Sequence, residues 1–150
     1  MLLLFVVGAL CAPLVMQRGR FGFAIIALIP AGTFLWLLTL IPRILRGDIY
    51  QHSLTWVPQL GMDLDIRMDA LGLLLALIAT GVGAAVLFYS ARYFKRDASY
   101  LGRFGAIFVA FAGAMLGLVT TDNTIALYIY WELTTVFSFL LIGHYSDRQS

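Results

Sequence analysis

One carboxyl group, that of Glu132, lies in the middle of a long apolar run. It follows the start of the run at Thr124 by about eight residues, or ~12 Å at 1.5 Å per helical residue. An ionised side chain at the centre of a membrane costs roughly 2.5–3.5 kcal/mol on insertion scales, so such residues usually face a partner or a wet cavity. If the run crosses a membrane, Glu132 is therefore a candidate functional group.

A carboxyl in that setting can act as a charge switch. Removal from water favours its neutral, protonated form, whereas a nearby cation favours the carboxylate. A proton relay or an ion-exchange site requires a group of this kind, so we interpret Glu132 as the proton- or ion-translocating residue. The alternative is that Glu132 stays protonated and hydrogen-bonded to another helix, where it serves packing alone.

Polar side chains accompany Glu132 on one side of the predicted helix. At ~100° per residue, those within about 120° of it are Thr124, Tyr128, Trp131, Thr135 and Ser138. Hydroxyls at this spacing can hold a short water chain, so we predict a supporting polar stripe of Tyr128, Thr135 and Ser138. The alternative for Thr135 and Ser138 is bonding to backbone carbonyls of the preceding turn. The opposite face suits lipid or apolar neighbours and carries Ile129, Leu133, Phe137 and Leu140.

The two histidines predict no metal site. His144 falls at the inner end of the Glu132 run and His52 lies in a loop, without the Cys/His or His/His spacing of metal ligands. We interpret His144 as interfacial, with a place in a proton route as the alternative. No catalytic motif is present and no cofactor is predicted.

Composition places the chain in a membrane. Hydrophobic residues make up 61% and charged residues 12% of the 150, and the mean hydropathy is +0.91. A soluble domain carries about 25% charged residues. A net charge of +2, with the basic residues confined to loops, also argues against nucleic acid as a partner.

Five apolar segments approach the roughly 20 residues that a membrane crossing needs. They cover residues 2–16, 21–41, 70–91, 104–120 and 124–145. Basic residues favour the cytoplasmic side and cluster in the first and third loops, which predicts an external N-terminus and a cytoplasmic C-terminus. Arg43, Arg46 and Arg67 in the second loop run against this orientation. We therefore predict an all-α polytopic membrane protein.

The long loop between helices 2 and 3 carries its own pattern. Apolar and polar residues alternate strictly from Leu60 to Asp69, and a period of two indicates a strand. Leu54 and Trp56 suggest a shorter partner strand, and Pro58 to Gly61 supplies turn residues. We predict a small extracytoplasmic β-hairpin, with Asp69 capping the next helix and a role for Asp69 in transport as the alternative.

Two further features predict packing. Gly113 and Gly117 form a G-x-x-x-G, which usually marks a helix–helix contact in lipid. Cys11, the single cysteine, lies in an apolar run and is predicted to be a small buried thiol.

The last third of the chain resembles the large proton-translocating subunit of Mrp-type cation/proton antiporters in the order and spacing of five motifs. These are LGRF from Leu101, GAMLG from Gly113, DN from Asp122, YWELT from Tyr130 and FLLIG from Phe139. Trp56-Val57-Pro58 and Asp69 extend the likeness upstream. The same family is related to the antiporter-like subunits of respiratory complex I, in which Trp131-Glu132-Leu133 also occurs.

The resemblance implies that Glu132 is the key glutamate on the fifth helix, which pairs with a lysine on a later helix and changes protonation during transport. Lys95, in a predicted cytoplasmic loop, is the only lysine of the chain. We therefore interpret residues 1–150 as a single membrane domain that is the N-terminal part of a longer antiporter-like subunit. The alternative is a truncated product that another polypeptide completes.

Three classes of function compete on these grounds. The first is part of a sodium/proton antiporter in a bacterial plasma membrane, with other antiporter subunits, protons and sodium as partners. The second is the proton-pumping membrane subunit of a complex I-like NADH:quinone oxidoreductase or a related hydrogenase complex. The third is a structural scaffold in the membrane, which leaves Glu132 and its polar stripe unexplained.

Overall fold

The computed structural model of the chain describes residues 1–16, 20–57, 62–93 and 101–143. In chain order its elements are α1 (Leu2–Met16), α2 (Arg20–Leu38), α3 (Ile41–Ile44), β1 (Tyr50–Val57), β2 (Met62–Met68), α4 (Ala70–Tyr93), α5 (Leu101–Thr120) and α6 (Thr124–Gly143). The predicted fold class, an all-α membrane protein with one hairpin between the second and third long helices, is confirmed.

Four helical segments within the described residues are long and apolar enough to cross a membrane: residues 21–44, α4, α5 and α6. The fifth apolar helix, α1, has 15 residues. It is therefore ~22 Å long, against a hydrocarbon core of about 30 Å. α1 packs along α5 and α2 packs along α4, so α5 and α4 form the centre of the bundle.

The second apolar segment is not the unbroken helix that the sequence predicts. α2 ends at Leu38, and α3 starts at Ile41 with Pro42 in its first turn. Pro42 has no N–H to donate to the carbonyl of Leu38, and its ring clashes with that carbonyl in a continuous helix. The chain therefore turns at residues 39–40 before α3 resumes.

The hairpin pairs β1 and β2 in antiparallel register, from Tyr50 opposite Met68 to Val57 opposite Met62, with a bulge between Thr55 and Val57. β1 has eight residues and β2 seven, so the expectation of a shorter first strand is wrong. Backbone pairing with β2 recruits residues 50–53, which show little alternation of their own. The predicted turn at Pro58 to Gly61 lies outside the described residues.

The carboxylate of Asp69 caps α4, as predicted. Its Oδ1 accepts a hydrogen bond from the Gly72 N–H at 2.8 Å, and its carbonyl accepts from the Leu73 N–H at 2.9 Å. These contacts satisfy donors at the helix start that have no partner within the helix. They also join the end of the hairpin directly to α4.

The two glycines of the G-x-x-x-G each make room for an aromatic side chain of a different helix. An added Cβ at Gly113 would lie 2.6 Å from the Phe5 Cβ in α1. One at Gly117 would lie within 2.6 Å of the Tyr130 ring in α6. The predicted helix–helix contact is confirmed, and α5 uses the motif to pack against α1 and α6 together.

Cys11 is exposed, so the predicted buried thiol is wrong. α1 buries the stripe of Phe5, Gly8, Ala12 and Met16 against the bundle. Cys11 immediately precedes Ala12 and is rotated about 100° away from that stripe. Its apolar surroundings in the sequence are those of a helix that faces outward on this side.

Candidate functional site

The start of α6 is held by a side-chain cap that was not predicted. Asn123 Oδ1 accepts hydrogen bonds from the N–H groups of Ile125 at 2.9 Å and Ala126 at 3.3 Å. Asparagine directly before an apolar helical run is a favoured N-cap, so the signal was present in the sequence. The cap fixes the point from which the helix carries Glu132 toward its middle.

The inner face of α6 is apolar. Ala126 is buried, and Tyr130, Leu133 and Phe137 line a groove of about 230 Å³ together with residues of α1 and α5. Among the described residues, no carboxylate or cation lines this groove. Glu132 is not among the residues that line it.

The outer face of α6 carries Glu132. This residue is exposed, and so are the neighbouring side chains of Tyr128 (64%) and Trp131 (58%). Across the described residues, no hydrogen bond or ion pair involves the Glu132 carboxylate.

Two members of the predicted stripe, Tyr128 and Thr135, share the exposed face with Glu132, and Ser138 is half-buried at its edge. The Thr135 hydroxyl donates to the Trp131 carbonyl at 3.2 Å, and the Ser138 hydroxyl donates to the Thr135 carbonyl at 2.9 Å. Each hydroxyl proton is thus bonded to the helix backbone. The hydroxyl oxygens keep lone pairs that can accept from water.

The residues predicted on the apolar side of α6 do not all face the bundle. Ile129, placed by helical angle on the apolar side, is 43% exposed and lies on the outer face near Val136. Leu133 and Phe137 face inward. The exposed face thus carries both polar and apolar side chains, with an acid and hydroxyls among the apolar ones. His144 lies outside the described residues.

Charged groups cluster away from the middle of the bundle. Arg67 and Asp122 form a salt bridge at 3.7 Å beside the start of α6. Arg92 lies in the last turn of α4, and Arg103 in the first turn of α5, at the opposite end of the bundle. No group of three or more potential metal ligands occurs among the described residues.

Chemically, the outer face offers one exchangeable proton at mid-helix. In an apolar medium the protonated acid is the tolerated form, and a cation brought against the face would favour loss of its proton. Within the described residues Glu132 is the acidic residue situated inside a long apolar helix. The arrangement can hold or release a proton, provided that a cation and water reach this face.

Comparison with known proteins supports the resemblance seen in the motifs. Residues 55–104 match the family described as NADH-Ubiquinone oxidoreductase (complex I), chain 5 N-terminus. The chain is 40% identical over 134 residues to the A1 subunit of the Na(+)/H(+) antiporter of Staphylococcus aureus, and 42% identical over 122 residues to the same protein of strain JH9. These alignments cover 89% and 81% of the chain. They cover only 16% and 15% of the relatives, so the chain spans about one sixth of their length.

Two solved structures share the fold. The Mrp complex from Dietzia sp. DQ12-45-1b matches with a TM-score of 0.81 at 33% identity, over 93% of this chain and 15% of the other. The membrane-bound sulfane sulfur reductase, an archaeal respiratory membrane complex, matches with a TM-score of 0.79 at 20% identity, over 96% and 22%. The second likeness concerns the fold alone.

Proposed function

We propose that this chain, which is similar over most of its length to the N-terminal part of the large Mrp-type antiporter subunit, is part of a monovalent cation/proton antiporter that exchanges sodium for protons. One observation carries the proposal. An acidic residue lies in the middle of a 20-residue apolar helix, on a face that the described bundle leaves open. A scaffold would gain nothing from an acid there and would bear its desolvation cost.

In the proposed cycle, Glu132 carries the proton. Its neutral form is favoured when the face is dry, and a cation approaching from another segment favours release of the proton. The resemblance to the family implies a lysine on a later helix for this role. We propose that the segment which supplies it covers the outer face of α6, because the described residues provide no cation there.

We propose that Tyr128, Thr135 and Ser138 support a chain of water molecules beside Glu132. The hydroxyls of Thr135 and Ser138 donate to backbone carbonyls and can accept hydrogen bonds from water at the same time. His144 is a candidate for continuing this proton route at the cytoplasmic end.

The wider setting is proposed from the sequence and its relatives. The chain is a multi-pass membrane protein, and we propose that residues 1–150 form one membrane domain at the N-terminal end of a longer subunit in a bacterial plasma membrane. The first and third loops are basic, which favours an external N-terminus and a cytoplasmic C-terminus. We propose other antiporter subunits as its partners and the role of a secondary transporter subunit, without a cofactor.

The second candidate is the proton-pumping membrane subunit of a complex I-like or hydrogenase assembly. It is favoured by the match of residues 55–104 to a family named for complex I. In that setting Glu132 would still carry protons, but redox chemistry in partner subunits would drive them. Purification of the native complex separates the two, because iron–sulfur or flavin subunits support the pump and small hydrophobic subunits support the antiporter.

Substitution of Glu132 tests the proposal. Glu132→Gln, introduced in the full-length complex, keeps the size of the side chain but cannot exchange a proton. We expect sodium-dependent proton exchange in membrane vesicles to fall by about 100-fold or more, the range typical for loss of a proton-transferring group. Asp48→Asn, which neutralises an exposed carboxylate outside the helices, is the matched control. Exchange at the wild-type level in Glu132→Gln would disprove the assignment.

Chemical labelling gives a test that does not depend on transport. A hydrophobic carbodiimide reacts with protonated carboxyls in membranes, so Glu132 should be modified. Absence of labelling at every pH would favour the scaffold over either proton-moving function.

A further inference from the structure

We propose that the β-hairpin is a strut that positions α6, and that Arg67 and Asp122 are the positioning pair at its contact. The inference rests on the proposed role of Glu132 and extends it to residues outside the membrane span. Neither residue touches Glu132, so both would act through the placement of the helix that carries it.

Three contacts join the described part of the hairpin to the turn between α5 and α6. Ile66 and Thr121 form an antiparallel bridge, and the Asp65 carbonyl accepts from the Asp122 N–H at 2.9 Å. The Arg67 guanidinium lies 3.7 Å from the Asp122 carboxylate. The hairpin therefore contacts two consecutive residues, Thr121 and Asp122, through both backbone and side-chain atoms.

The base of the hairpin is itself fixed to the bundle. Met68 at the end of β2 is fully buried, and Asp69 continues directly into the cap of α4. At the start of β1, the ring of Tyr50 packs edge-on against Trp36 of α2, with centroids 5.9 Å apart. The hairpin thus links the C-terminal end of α2 and the N-terminal end of α4 to the N-terminal end of α6.

The contact at the N-terminal end of α6 matters because the rest of this helix packs only sparsely against the bundle. Only 6% of its most apolar window is buried, and Ala126 is its one buried residue in the described structure. The Asn123 cap follows Asp122 directly, so a shift of the turn moves the first helical residues with it. Since a helix is a stiff rod over the eight residues to Glu132, the displacement reaches the carboxyl.

The ion pair is half-exposed, at 45% for Arg67 and 48% for Asp122, and its individual contribution is correspondingly modest. In this proposal the backbone bridge supplies most of the stabilisation of the hairpin–turn contact, and the ion pair fixes the alignment of the two segments. We therefore expect a partial loss when the pair is broken and a larger loss when its charge is reversed.

Substitution of the pair in the full-length complex tests the role. Arg67→Ala and Asp122→Ala should each lower sodium-dependent exchange and the rate of carbodiimide labelling of Glu132 by about two- to fivefold, the range for a half-exposed pair. Arg67→Asp should lower both further. Arg67→Lys should retain both exchange and labelling near the wild-type level. The swapped pair, Arg67→Asp with Asp122→Arg, should restore both relative to Arg67→Asp alone. Arg43→Ala, an outer arginine without an ion pair among the described residues, is the matched control.

A covalent strut gives the converse test. Ile66→Cys and Thr121→Cys, in a Cys11→Ser background, place two cysteines directly opposite each other. The oxidised protein should keep wild-type exchange, and the disulfide should rescue Arg67→Ala. Failure of the pair to cross-link, or loss of exchange on cross-linking, would overturn the strut.

The two proposals fail in different ways. If Arg67→Ala exchanges and labels like the wild type at equal abundance in the membrane, while Glu132→Gln is inactive, the strut is wrong and the role of Glu132 stands. If Glu132→Gln is active, the function proposed for the carboxyl is wrong whatever the Arg67 series shows.

Discussion

α5 and α6 are adjacent helices of 20 residues each, with similar apolar content, and they occupy opposite situations. In its most apolar window α5 is 39% buried, whereas α6 is 6% buried. α5 packs against α1, α4 and α6, whereas α6 packs mainly against α5. Apolar content alone therefore does not distinguish a central membrane helix from a peripheral one, because lipid and protein interior favour the same residues.

The side chains that differ are the small ones. α5 buries Gly105, Ala112, Gly113, Ala114 and Gly117, which allow neighbouring helices to approach closely. α6 instead directs large side chains such as Trp131 and Phe139 outward, together with Glu132. The comparison indicates that α5 is a packing centre and that α6 presents a surface.

The largest expected effect comes from filling a close contact of α5. Gly113→Leu adds a side chain where even a Cβ would lie 2.6 Å from the Phe5 Cβ, an atom attached to the α1 backbone. We expect the unfolding free energy of the full-length subunit to fall by about 3 kcal/mol or more. The amount of folded protein in the membrane would fall with it, and the loss of stability can be measured by the thermal midpoint in detergent.

Gly32→Leu in α2 is the control for this substitution, since, apart from its chain neighbours and the helix backbone, no atom lies within 4 Å of an added Cβ there. Equal stability of the two variants would contradict the assignment of α5 as the packing centre.

The outer face of α6 is tested next. Phe139 is 73% exposed in the described structure, but our proposal places another segment against this face in the full-length subunit. Phe139→Ala should then create a cavity and lower the thermal midpoint, corresponding to about 2 kcal/mol. Phe139→Leu should cost less. An unchanged midpoint for the alanine variant would mean that this part of α6 contacts lipid.

A smaller effect is expected at the start of α6. Asn123→Ala removes the acceptor for two backbone N–H groups, which typically costs about 1 kcal/mol. Hydrogen exchange of the amides of Ile125 and Ala126 should accelerate accordingly. Thr124→Ala, next to the cap but exposed, should leave these rates unchanged, and equal rates in both variants would show that the cap contributes nothing.

The smallest expected effect separates two adjacent threonines of α6. Thr134 and Thr135 both donate to the Trp131 carbonyl, at 2.7 and 3.2 Å, but only Thr135 lies on the Glu132 face. Thr135→Val should lower sodium-dependent exchange by about threefold through loss of one water-accepting oxygen. Thr134→Val should not change it. Equal effects would remove the polar stripe from the proton route.

Much of the fold follows from local patterns in the sequence. Apolar run length located the five apolar helices within a few residues, and strict alternation located β2. The Asp69 cap followed from the position of a carboxylate before an apolar run. Each of these signals depends on one segment and its solvent, so no knowledge of the neighbouring elements was needed.

The errors occurred where a neighbour or a single proline decides. β1 is longer than its own alternation suggests because β2 pairs with residues 50–53. α2 stops short because Pro42 cannot continue it. Cys11 is exposed because α1 turns Phe5 and Ala12 toward α5 instead. The Arg67–Asp122 contact joins residues 55 positions apart and left no sequence signal.

The amino-acid sequence by itself determined that this protein spans a membrane several times and that an acid lies inside α6, because the length and polarity of a segment decide its partition into lipid. Only the tertiary structure decided that Glu132 faces away from the described bundle and that the hairpin contacts the turn before α6. Rotation and contact of a helix depend on which side chains of its neighbours fit against it, and in an apolar solvent hydrophobicity does not specify that choice.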